Sequence, residues 1–213
     1  MSLGRVLYRV RQFFLALRPA VAPQDLEYAR LVLTPAQMAL FAGMQSSEQA
    51  HAVSVYRQLV AKGETSSDLL AAALLHDVGK SLSPLRLWDR VLIVLARVFF
   101  PVQSRRWGKP PAEWFRGGHP PSPGSFPLEG GEKGGGEDER GQLAIPEEEI
   151  RGWRRAFVVG EQHPAWGARL AAEAGASPCT VALIRLHQEP ASTAVDAETI
   201  RLLSKLQAVD NHN

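Results

Sequence analysis

Hydrophobic residues recur at three- and four-residue spacing along most of the chain, and alternating, strand-like stretches are scarce. That spacing places apolar side chains on one face of a helix, so the pattern predicts an all-α fold. Thr34-Pro35-Ala36-Gln37 indicates a helix start, and Ser46-Ser47-Glu48 begins a helix that runs towards Val60 and stops at Gly63. Further helices are predicted over about 66–75 and 84–100, from His163, from Ser177, and from about Asp196 to the end of the chain.

Residues 88–100 form the most hydrophobic stretch of the chain. The stretch is too short to span a bilayer, and Asp89, Arg90 and Arg97 flank or interrupt it. We therefore expect a buried helix here, with interfacial contact and a dimer face as alternatives.

The composition changes abruptly over residues 108–146, where glycine and proline crowd together and large apolar residues are few. Such a stretch cannot bury enough surface to offset its ordering entropy, so it is interpreted as a flexible insertion. His119 lies inside it and is left out of any site. The prediction is a main domain at 46–213 that carries this insertion, preceded by lead-in helices within 1–45.

The N-terminal residues 2–18 read as a basic amphipathic helix that contains Arg5, Arg9, Arg11 and Arg18. Packing of its apolar stripe on the domain is favoured over peripheral contact with an anionic membrane. The segment lacks the features of a secretory signal, and a cytoplasmic protein is expected.

The overall composition excludes several classes of protein. With 213 residues, 45% of them hydrophobic, the chain can bury one substantial core. A formal charge of +2 gives no reason to expect specific nucleic-acid binding. The single cysteine, Cys179, excludes an intrachain disulfide and a cysteine-rich zinc module.

Chemistry-bearing side chains stand at the ends or on the faces of apolar helices. His76-Asp77-Val78-Gly79-Lys80 closes the apolar run 69–75, and His187 ends another apolar helix in the same way. His51 and Asp210 lie within two further amphipathic helices. Burial of such a group without a partner would destabilise the fold by an amount on the order of several kcal/mol. A metal centre would satisfy all of these groups at once.

The order of a His, a His-Asp pair and a distant Asp resembles the HD-domain superfamily of metal-dependent phosphohydrolases. In this chain those positions are His51, His76-Asp77 and Asp210. The resemblance covers most of residues 46–213. It implies an all-α bundle of about seven to nine helices.

Two more histidines resemble the ligands of HD-GYP proteins and other HD enzymes that hold two metals. His163 opens the sequence His-Pro-Ala-Trp-Gly-Ala, which is similar to an element of those proteins, and His187 stands where they carry their next histidine. The resemblance implies that the first metal is held by His51, His76, Asp77 and Asp210. It implies that Asp77 bridges to a second metal held by His163 and His187.

The implied activity is hydrolysis of a phosphoester or phosphoanhydride, with a nucleotide as the small phosphorylated substrate. Imidazole and carboxylate ligands suit one or two divalent ions of iron, manganese, zinc or cobalt, and a metal-activated hydroxide would be the nucleophile. The resemblance implies that Asp77 and Lys80 are the catalytic residues. Lys80 would place its ammonium beside a phosphate oxygen. The alternative for Lys80 is a cation that stabilises a helix C-terminus.

Departures from the family pattern leave the substrate open. The chain has no Gly-Tyr-Pro motif, which disfavours hydrolysis of cyclic-di-GMP. The six-ligand pattern is closer to HD-type diadenosine tetraphosphate hydrolases, which lack an insertion such as 108–146. A non-hydrolytic ligand-sensing module and a di-iron HD-type oxygenase remain as alternatives.

Overall fold

The computed structural model describes residues 23–109, 152–194 and 196–210. The predicted helix at 2–18 lies outside the described residues, as does the predicted insertion at 108–146 from residue 110 onwards, His119 included. The described residues are all-helical and contain no strand, which confirms the predicted fold class.

Nine α-helices and two short 3-10 helices make up the described part of the chain, in agreement with the seven to nine helices expected. The α-helices are α1 Pro23–Val32, α2 Pro35–Ala42, α3 Ser46–Ala61, α4 Ser67–Leu75, α5 Leu87–Phe99, α6 Pro101–Trp107, α7 Arg155–Glu173, α8 Pro178–Leu186 and α9 Ala197–Asp210. The 3-10 helices are Val78–Leu82 and Ala191–Thr193. None of the described helices is long and apolar enough to cross a membrane.

The described residues fall into two compact units. Unit 1 comprises 23–85 and 162–210, and unit 2 comprises 86–109 and 152–161. Every candidate metal ligand named above belongs to unit 1.

Helix α4 lies at the centre of unit 1, where it packs against α1, α2, α3, α8 and α9. Six of its nine residues are buried, because the helix is apolar on all sides and cannot present a face to solvent. The residues that follow α4 are held at the same depth. His76 and Asp77 directly follow α4 and are therefore buried in the core of unit 1.

Local sequence fixes several helix ends as predicted. Thr34 and Gln37 form a reciprocal capping box at the start of α2, with Pro35 at the first helical position. Helix α3 ends one residue beyond the predicted Val60, and the chain then turns at Gly63, whose φ of 81° suits glycine. Polar caps and helix-breaking residues are local signals, so these boundaries are readable without the tertiary structure.

The predicted start of α7 is wrong. We expected a helix to begin at His163, but α7 begins at Arg155 and carries Pro164 in its interior. Proline lacks an amide hydrogen, so it is normally disfavoured in the interior of a helix. The preceding run 156–159 is nonetheless helical and buried in unit 2, and the helix continues from it through Pro164.

The expectation of a buried helix over residues 88–100 is also wrong. Helix α5 covers most of the stretch, but several of its large apolar side chains are exposed, including Trp88 at 79% and Phe99 at 68%. In a continuous apolar run, the sequence pattern does not identify which face of the helix is buried. The exposed residues recur on one side only.

Candidate metal centre

Six side chains from separate parts of unit 1 meet at one place. They are His51 in α3, His76 at the C-cap of α4, Asp77 just after it, His163 in α7, His187 at the C-cap of α8, and Asp210 at the end of α9. These are the six residues proposed as ligands from the sequence. Their convergence links five separate segments of the chain.

The first group of ligand atoms surrounds His76. Its Nε2 lies 3.3 Å from Nε2 of His51, 3.6 Å from Oδ2 of Asp77 and 3.5 Å from Oδ1 of Asp210. His51 Nε2 is also 2.8 Å from the same Asp210 oxygen. Ligand atoms around a tetrahedral ion with bonds near 2.1 Å lie about 3.4 Å apart, so this spacing fits one metal ion.

The second group surrounds the other oxygen of Asp77. Oδ1 of Asp77 lies 3.3 Å from Nε2 of His163 and 4.0 Å from Nε2 of His187. The two histidine Nε2 atoms are 3.3 Å apart. Each group offers three ligand atoms within 4.8 Å of one another, His51, His76 and Asp77 in one and Asp77, His163 and His187 in the other. Asp77 is the member that the two groups share.

Backbone carbonyls orient two of the histidines. Nδ1 of His76 donates to the carbonyl of Ala73 at 2.9 Å, and Nδ1 of His187 donates to the carbonyl of Ile184 at 2.7 Å. With the hydrogen on Nδ1, a neutral ring presents a lone pair at Nε2, which is the atom that faces the cluster. Metal-binding histidines are commonly held in this way. Both histidines can therefore serve as neutral ligands.

In the metal-free cluster, the pKa values of His187 and His76 are shifted in opposite directions. Burial lowers the pKa of His187 to about 3, and the neighbouring His76 and His163 act in the same direction. Burial also lowers the pKa of His76, but Asp77 and Asp210 outweigh it and raise that pKa to about 9. The metal-free cluster thus holds a proton at His76, where a metal ion would compete for the same nitrogen.

The two carboxylates are held in their ionised form. Burial raises the pKa of Asp77, but Lys80 and the neighbouring histidines overcome that effect and keep it well below its usual range. Burial likewise raises the pKa of Asp210, but His76 and His51 lower it more strongly. Both side chains present the charged oxygens that a divalent cation prefers.

Lys80 reaches into the first group. Its Nζ lies 2.6 Å from Oδ2 of Asp77 and 3.6 Å from Oε2 of Glu48. Sequence reasoning missed Glu48, a buried acid three residues before His51 and so on the same side of α3. That spacing was the available signal. Lys80 is held between two buried carboxylates of opposite charge to its own.

Two glycines allow the segment that carries Asp77 to approach α7. A Cβ atom on Gly79 would lie 2.1 Å from the carbonyl oxygen of His163 and 2.7 Å from the amide nitrogen of Gly167. From the other side, a Cβ on Gly167 would lie 3.1 Å from the amide nitrogen of Gly79. The close approach that brings Asp77 to His163 therefore requires glycine at position 79, whereas a Cβ at position 167 would make only a tight contact.

The fold and the site together define an all-α protein whose buried histidines and aspartates could hold a metal ion. Comparisons with models of protein families, with curated proteins and with solved structures find no match.

Proposed function

We propose that the chain is a metal-dependent phosphohydrolase of the HD type that cleaves a phosphoester or phosphoanhydride of a small molecule, with a nucleotide as the favoured class. Iron, manganese, zinc and cobalt all suit its ligands. The ions would be held by His51, His76, Asp77 and Asp210 on one side and by Asp77, His163 and His187 on the other.

One observation carries the proposal: the two oxygens of Asp77 face different ligand groups. Oδ2 lies with His76, and Oδ1 lies with His163 and His187. A carboxylate placed in this way can bridge two cations, which in two-metal hydrolases are about 3.5–4 Å apart. Such a pair supplies an activated water and neutralises charge on a phosphoryl group.

The exposure of the candidate ligands supports entry of a substrate from one side of the centre. The side chains of His51 and Asp210 are 28% and 23% exposed, and that of Lys80 is 22% exposed. Those of Asp77, His163 and His187 are only 1–4% exposed. A phosphate would therefore enter beside His51 and Asp210, where the Lys80 ammonium can pair with its charge.

The test begins with purified protein loaded separately with manganese, iron, cobalt or zinc and assayed on a broad panel of phosphomonoesters, nucleotides and dinucleoside polyphosphates. We expect release of phosphate or nucleotide from part of the panel. Asp77→Asn should reduce kcat by at least about 1000-fold, because it weakens both ion sites. Glu173→Gln removes an exposed carboxylate on α7 and serves as the matched control, with wild-type activity expected.

The same experiment separates the alternatives. Two bound ions without turnover of any phosphorylated compound would contradict the hydrolase and favour a ligand-sensing module. Consumption of oxygen by the iron-loaded protein with a small alcohol would instead favour a di-iron oxygenase.

A further inference from the structure

Helix α5 of unit 2 carries a stripe of exposed apolar residues. Trp88, Leu92, Leu95 and Phe99 are 79%, 37%, 49% and 68% exposed. At about 100° per residue, these four positions fall within a sector of about 60° on the helix surface. We call them the α5 stripe.

The exposed apolar surface continues along the chain into α6. Phe100 and Val102 are 53% and 61% exposed at the junction of the two helices. Arg106 follows Val102 by four residues, which is the spacing of one helix face, and Lys109 lies two residues beyond the end of α6; both are exposed. Apolar and basic side chains are thus neighbours on this side of α6.

The described residues of unit 2 are strongly basic. Residues 86–109 and 152–161 contain eight arginines and lysines against two acids. Both acids lie in ion pairs within the unit, Asp89 with Arg155 at 3.1 Å and Glu161 with Arg97 at 3.6 Å. The described residues of unit 2, which include the α5 stripe, therefore carry a net positive charge.

This combination matches the chemistry of an anionic lipid surface. Interfacial helices place Trp, Phe and Leu at the boundary between headgroups and acyl chains, and flanking basic residues are attracted to anionic lipids. The basic segment 2–18 is a poor alternative occupant, since its arginines would meet charges of the same sign. We propose that α5 and α6 dock on an anionic membrane, with the α5 stripe facing the lipid.

The test uses the full chain with two kinds of vesicle: phosphatidylcholine alone, and phosphatidylcholine with about 30% phosphatidylglycerol, at about 0.1 M salt. Binding is measured by co-sedimentation. One variant combines Trp88→Ser, Leu95→Ser and Phe99→Ser, and a second combines Arg106→Glu with Lys109→Glu. Leu31→Ser is the matched control, because Leu31 is 81% exposed on α1 of unit 1.

We expect the wild-type chain to bind only the anionic vesicles. Each multiple variant should lower the partition coefficient at least about tenfold, whereas Leu31→Ser should change it less than about twofold. Circular dichroism checks that each variant is folded, and the charge-reversal variant tests the proposal should the apolar variant fail to fold.

Three results would overturn the proposal. The first is a wild-type chain that does not bind anionic vesicles. The second is binding that survives both multiple variants, which would assign it to another segment such as residues 2–18. The third is a stripe variant that changes from dimer to monomer in light scattering while vesicle binding is absent, which would make the face an interface between two copies.

Discussion

Replacement of Gly79 by alanine should disrupt the second ion site while leaving the first in place. The added methyl group would lie 2.1 Å from the carbonyl oxygen of His163 and 2.9 Å from its carbonyl carbon. These are backbone atoms in the middle of α7, so no side-chain rotation can relieve the contact. The 3-10 helix and α7 must separate by about 1.3 Å to reach an ordinary carbon–oxygen distance.

That separation has a direct effect on metal binding. It would increase the distance between Asp77 Oδ1 and His163 Nε2 from 3.3 Å to about 4.6 Å, and two ligands with bonds near 2.1 Å cannot both reach a tetrahedral ion across that gap. The overpacked contact should also cost about 1–3 kcal/mol of stability. The first group keeps its own contacts among His51, His76 and Asp210.

Metal content per chain and isothermal titration with manganese or zinc would measure the effect. We expect the metal content to fall from two ions per chain to one, because the affinity of the second ion site should decrease at least about 100-fold. Gly167→Ala should give a smaller loss, because its nearest contact would be 3.1 Å. Gly160→Ala, also in α7, would meet no atom closer than 3.7 Å and is the matched control. A Gly79→Ala protein that binds two ions with wild-type affinity would refute the reasoning.

Three further predictions concern individual side chains of the centre. His187→Ala should remove one ion of two by elemental analysis, because this ring serves only the second group; loss of both ions would show that the sites are not separable. Lys80→Met should retain both ions but lower kcat about 100-fold in steady-state assays, since the ammonium between Asp77 and Glu48 would no longer meet the phosphate charge; unchanged kcat would leave Lys80 a structural role. In the metal-free protein, the pKa of His76 is lowered by burial but raised more strongly by two carboxylates, to about 9, above its usual value of 6.5. Its contribution to stability is therefore complete below pH 6.5 and lost as pH rises through about 9, so urea unfolding should show a decline over that window that His76→Gln flattens.

The chain's local chemistry was sufficient to predict the helical class and many helix ends. Thr34 with Gln37 forms a cap within three residues of sequence, and such caps need no distant partner. The cost of burying polar groups at the ends of apolar helices pointed to His76, Asp77 and His187. The resemblance to HD-domain proteins completed the set of six candidate ligands, including His163 in the interior of α7. The start of α7 was not recoverable, since it depends on how residues 156–159 pack in unit 2.

The sequence by itself determined the helical class and which histidines and aspartates are candidate ligands, because residue identity, helical spacing and the order of motifs are properties of the chain alone. Only the tertiary structure decided that the two oxygens of Asp77 face different groups, and that position 79 has no room for a side chain beside α7. Tertiary packing also left the α5 stripe exposed, although its apolar composition had favoured burial. Distances between segments that are more than a hundred residues apart follow from packing of the whole core, which no local pattern encodes.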